Sequence, residues 1–110
     1  MKIALVLKSG PGTNEADRAL QTATDMVDQG HTVSLYLMQE AVRFCRAPMK
    51  RNNSIGLKEL MDKKLEIHVL THDAELRGID LAAHGQAIVK GSYDYLIALL
   101  ESCDRVVGIL

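Results

Sequence analysis

Residues 2–38 run KIALVLKSGPGTNEADRALQTATDMVDQGHTVSLYLM, and their patterning decides the fold. Lys2–Lys8 is a short, continuous apolar run that exits into Gly10, Pro11 and Gly12. That length and that exit predict a buried strand followed by a loop over Ser9–Thr13. Thr13 or Asn14 can cap a helix, and Glu15 and Asp17 suit the positive end of its dipole. Ala16, Ala19, Leu20, Ala23, Met26 and Val27 then recur at three- and four-residue steps, which makes one apolar stripe. Gly30 stands where helices commonly end. His31–Met38 alternates and is rich in β-formers, so a second strand follows. Strand, helix and strand in succession imply two parallel strands joined by a right-handed crossover.

The rest of the chain repeats the alternation. Gln39–Cys45 reads as a short helical turn, Arg46–Ser54 as a polar loop and Ser54–Lys64 as a short helix. Leu65–Thr71 (LEIHVLT) is the third strand, and His72–Gly78 a helical turn closed by Gly78. Ile79–His84 is a short connecting piece, and Ala87–Val89 a minimal strand. Ser92 caps a helix through Ser102 that buries Leu96, Leu99 and Leu100, and Asp104–Leu110 closes as a strand. Alternating strands and helices predict a mostly parallel sheet with helices on both faces.

Composition narrows the function classes. Apolar residues make up 47% of the 110, too many for a disordered chain and matched to one folded domain over residues 1–110. The net charge of −1 leaves no global excess for wrapping nucleic acid. No apolar run approaches the roughly 20 residues that span a bilayer, and no secretory signal is visible, so a cytoplasmic protein is expected. Two distant cysteines, Cys45 and Cys103, suit reduced thiols better than a disulfide scaffold. One asymmetry is local: residues 43–64 hold seven basic side chains and two acidic ones. Such a run is ordinarily a solvated face, and its sharper reading is a dock for an acidic partner protein. Phe44 is its only aromatic, which argues against base stacking.

In an open parallel sheet, ligands bind beyond the carboxyl ends of the strands. Where strand order reverses, that rule gathers Ser9–Thr13, Met38–Ala47, Thr71–Gly78 and, as a fourth candidate, the final residues at one edge. The first segment can cradle an anion through Gly10, Gly12 and Thr13 at a helix start, although it is neither GxxxxGK[ST] nor GxGxxG, so no cofactor is expected. A plain strand-to-helix turn needs the same glycines. The second segment holds Cys45 between Arg43 and Arg46, whose charges would favour the reactive thiolate; the bland alternative is a buried packing cysteine. Cys103 reads as inert packing. The third segment holds His72, Asp73 and Arg77 as ligand-binding candidates. The spacing of His72, Asp73 and His84 matches no metal motif, so no metal is assigned. His68, mid-strand, reads as a satisfied core or interface histidine, and Tyr93 and Tyr95 as packing or interface residues.

Four segments, in order, resemble the DsrE/DsrF-like family, which includes sulfur-relay subunits. KIALVLKSGPGTNEADRAL is similar to its strand, small-residue loop and helix opening. GHTVSLYLMQEAVRFCRA resembles its GHxVxLFxxxDGVxxA pattern, with Gln39–Val42 at the corner. LEIHVLTHDAELRGI resembles its third strand, cysteine motif and RGI, and LLESCDRVVGIL its closing LxxxDRVVxF. The resemblance implies a flavodoxin-like α/β three-layer sandwich of four to five strands, in a subunit of a small homo-oligomer. It also implies sulfur handling by a cysteine between the third strand and RGI. Here Leu70 and Asp73 stand at those positions, and neither can carry a persulfide. The expected function is therefore a degenerate, non-catalytic relative that binds a partner or small ligand. A sulfurtransferase using Cys45 is the alternative, and a metal- or anion-binding module a weaker one.

Overall fold

The computed structural model describes residues 1–46, 65–82 and 88–109. Most of the basic segment, the helix expected at Ser54–Lys64, the last two residues of the piece at Ile79–His84, and Ala87 lie outside the described residues. Five strands form one sheet: β1 Lys2–Leu7, β2 Thr32–Leu37, β3 Glu66–Leu70, β4 Val89–Gly91 and β5 Arg105–Ile109. Their spatial order is β4-β3-β2-β1-β5, and every pairing is parallel. The α/β sandwich expected from the alternation is therefore present, with all strand carboxyl ends at one edge.

Strand order explains the layers. The chain steps in one direction from β1 to β4, and right-handed crossovers put those connections on a single face. Only the connection from β4 back to β5 crosses the other face. Side chains alternate accordingly. Ile3, Leu5, Leu7, Val33, Leu35, Leu37, Ile67 and Val69 meet the first layer. That layer comprises helix α1 (Asn14–Asp28), a 3-10 helix at Gln39–Cys45 and helix α2 (Thr71–Leu76). Ala16, Ala19, Leu20 and Ala23 of the apolar stripe are fully buried there. Each buried leucine such as Leu20 or Leu35 contributes about 2 kcal/mol of transfer free energy. Val6, Tyr36 and Leu70 on the opposite face pack under helix α3 (Tyr93–Ser102) through Leu96, Leu99 and Leu100.

The predicted boundaries shift at two strands. Thr71 opens α2 instead of ending β3, so the chain turns from strand to helix with no intervening loop. The fourth strand begins at Val89 and runs to Gly91, beyond the expected Ala87–Val89. Thr13, not Asn14, caps α1: its Oγ1 accepts from the Ala16 N–H at 3.2 Å. Ser92 caps α3 by accepting from the Tyr95 N–H at 3.1 Å.

Candidate functional site

The carboxyl edge is braced around Asp73, a 6% exposed carboxylate in the first turn of α2. Gln39 opens the 3-10 helix in the left-handed region, with φ of 52°, and its N–H donates to Asp73 Oδ2 at 2.7 Å. A non-glycine residue holds that conformation only when its surroundings fix it. Arg77 completes the brace. Its Nε and Nη2 donate to Glu40 Oε1 at 3.2 and 3.0 Å, and its Nη1 donates to the Asp73 carbonyl at 3.2 Å. Hydrogen bonds from Arg77, then from Arg43, hold the Glu40 carboxyl below the usual range. Asp73 and Arg77 thus tie α2 to the corner after β2.

The Ser9–Thr13 loop closes on itself. Thr13 Oγ1 donates to the Gly10 carbonyl at 2.8 Å, and Gly12 takes a φ of 86° that side chains disfavour. A Cβ on Gly10 would lie 3.3 Å from Glu40 Cβ and 3.5 Å from Arg43 Nη1. Gly10 therefore lets the 3-10 helix approach β1. The glycines meet backbone and packing demands here.

Cys45 occupies an environment opposite to the one its neighbours suggested. Residues three apart in a 3-10 helix share a face. Val42 and Cys45 accordingly point together into the core, and Cys45 is 2% exposed. Arg43 turns outward to Glu40 at 3.2 Å, and Arg46 donates to the Arg77 carbonyl at 3.2 Å. Burial pushes the Cys45 thiol up to about 12. At pH 7 the thiol form therefore predominates. Neither Cys45 nor Cys103 forms a disulfide. Among the described residues, no three His, Cys, Asp or Glu side chains are grouped to hold a metal.

A cavity of about 730 Å³ opens at the same edge, between α2 and the β4–α3 junction. Leu70, Thr71, His72 and Glu75 line it from one side, and Lys90, Gly91, Ser92, Tyr93 and Tyr95 from the other. Of the predicted ligand residues only His72 reaches it. Asp73 and Arg77 belong to the brace, and Gly10, Gly12 and Thr13 to the loop beyond β1. The β4–α3 residues were missed because strand order reverses between β1 and β5, whereas this cavity stands at β3 and β4.

An aromatic layer lies beneath. Tyr36 donates its hydroxyl hydrogen bond to the Ser92 carbonyl at 2.8 Å. Burial, then the negative charges that Tyr93, Tyr95 and Asp73 can carry, push its phenol up to about 12. His68, 3% exposed, stacks on Tyr36 at 6.3 Å between ring centroids and meets Tyr95 at 5.4 Å. Among the described residues, neither His68 nitrogen has a hydrogen-bond partner. Glu66 Oε2, at 3.7 Å from His68 Nε2, is too distant for one and binds Ser34 Oγ at 2.9 Å instead. Burial lowers the His68 pKa, and Glu66 only partly opposes that. His68 is therefore buried in the core, but without the satisfied hydrogen bonds that the sequence reading expected.

These elements make a parallel α/β sandwich with a braced corner and an open cavity at the carboxyl edge of β3 and β4. The family model for the DsrE/DsrF-like family matches residues 1–108, and the chain belongs to that family. Among solved structures, it is similar to the ychN protein from E. coli, with a TM-score of 0.84 and 19% identity. That likeness covers 100% of this chain and 99% of the other, and at this identity it concerns the fold. No curated protein gives a significant match.

Proposed function

We propose that the protein is a non-catalytic member of its family, without persulfide transfer at the β3–α2 corner, that binds a small ligand in the carboxyl-edge cavity. One observation carries this reading. Leu70 and Asp73 stand where the family motif places its sulfur-carrying cysteines; Leu70 is core and Asp73 holds the Gln39 N–H. Sulfur transfer needs an accessible thiolate, and burial keeps Cys45 protonated. The cavity stands at that corner, lined in part by Leu70, Thr71 and His72.

A homo-oligomer in the cytoplasm completes the proposal. Helix α3 (YDYLIALLES) is apolar on most sides yet has no fully buried residue. Ile97 is 56% exposed, and Val106 and Val107 are also exposed. Helices apolar all round ordinarily lie in an interior, so a second copy is the natural cover. Among the described residues no helix is long and apolar enough to cross a membrane.

The test is sulfur loading. The purified chain is incubated with a persulfide donor, and mass spectrometry then locates any added sulfur. The proposal expects none on Cys45. Stoichiometric loading of Cys45 from a physiological donor protein would replace this reading with that of a sulfurtransferase.

A further inference from the structure

We propose that the carboxyl-edge cavity is selective for a small zwitterion with a flat apolar body, the chemical class of an aromatic amino acid. The inference rests on the reading of this cavity as the binding site and adds its ligand chemistry. It starts from two charges. Glu75 on α2 and Lys90 on β4 both line the cavity, from its two sides. Both also line a smaller adjoining cavity of about 200 Å³. Both are exposed, and neither forms an ion pair with the other or with any described residue.

Opposite charges that border one cavity without pairing select among ligands. An anion gains Lys90 and meets repulsion from Glu75. A cation gains Glu75 and meets repulsion from Lys90. A ligand carrying an ammonium and a carboxylate satisfies both at once, and complementary charges set specificity in this way. Asp80 and Asp94 lie outside the lining of the larger cavity. Asp80, in the smaller cavity, accepts from the Ala82 N–H at 3.0 Å. Asp94, in the first turn of α3, offsets the positive end of that helix. Lys90 is therefore the carboxylate's partner.

The body of the ligand follows from the remaining lining. Tyr93 and Tyr95 are 52% and 38% exposed and offer ring surface, over a floor that includes Leu70. Aromatic faces favour offset or edge-to-face contact with a second ring. The cavity is open to solvent on one side, and its volume of about 730 Å³ leaves room for a single ring system.

Amide chemical-shift titration of the isotope-labelled full chain tests the proposal with three probes sharing one ring. L-tryptophan carries both charges, indolepropionate lacks the ammonium and tryptamine lacks the carboxylate. L-tryptophan is expected to shift the amides of Thr71, His72, Gly91 and Tyr93. Each single-charge probe should bind about tenfold more weakly, the loss of one charge-assisted contact. Glu75→Gln should erase the advantage over indolepropionate, and Lys90→Met the advantage over tryptamine. Equal binding of either single-charge probe to the native chain would overturn the zwitterion assignment and leave the cavity standing as a binding site. Shifts confined to residues elsewhere, or none with any probe, would overturn both.

Discussion

Replacing Asp73 by Ala isolates the contact on which the carboxyl edge depends. The substitution removes the acceptor of a 2.7 Å hydrogen bond and leaves the Gln39 N–H without it. Hydrogen bonds to charged groups are worth about 1.5–3 kcal/mol. Asp73 is only 6% exposed, so water replaces the lost partner poorly. A destabilisation of about 2 kcal/mol is expected, or roughly 8 °C in Tm for a chain of this size. Asp73→Asn retains an acceptor oxygen and should lose about half as much. The left-handed backbone at Gln39 supplies an internal check. Gln39→Gly relieves a conformational cost of about 1 kcal/mol and should raise stability, provided the corner has the described geometry. Urea unfolding followed by circular dichroism gives all three values. A loss below about 0.5 kcal/mol in Asp73→Ala, within the range of ordinary surface changes, would refute the brace.

Three further outcomes follow from the opposite face. A Cβ on Gly91 would lie 2.8 Å from the Tyr36 hydroxyl and 3.1 Å from a Tyr95 ring carbon. Gly91→Ala should therefore cost about 1–3 kcal/mol of overpacking and displace Tyr95 from the cavity wall, visible as lower Tm and altered ring signals in NMR. His68 titrates at 6.5 when unfolded and lower when folded. Below pH 6.5 the unfolded chain binds more protons, so stability falls with pH until the folded histidine also charges. His68→Leu should flatten that acid limb in urea midpoints measured between neutral and acidic pH; an unchanged limb would place its cause elsewhere. Ile97→Lys should abolish self-association in sedimentation equilibrium while leaving the circular dichroism intact.

The sheet was legible because its cause is local. KIALVLK, HTVSLYLM and LEIHVLT are continuous or alternating runs of β-formers, and handedness rules convert their alternation with helices into parallel pairing. The fourth strand was placed early because VKG is a three-residue edge strand with a charged member, and Ile88 beside it is buried without belonging to it. At Thr71 β-propensity misled: α2 starts there without a side-chain cap, and tertiary packing of Ala74 decides the helix. Site residues were harder to read because their roles depend on face and partner. Adjacency to two arginines suggested an activated Cys45, whereas the 3-10 periodicity sends those arginines outward and the thiol inward. Asp73 looked like a ligand residue, and its partner, the Gln39 N–H, lies 34 positions away. Glu75 and Lys90 border one cavity only because β3 and β4 are adjacent.

Native-state thiol exchange at Cys45 tests most directly whether the edge has lost its sulfur chemistry. The chain is treated with an aromatic disulfide at neutral pH over a series of low urea concentrations, and the two cysteines are resolved by peptide mass. Cys45 should react only through unfolding, with a urea dependence that approaches the global slope. Reaction of Cys45 at the rate of an accessible thiolate, independent of urea, would contradict a buried, protonated thiol and restore the case for sulfur transfer.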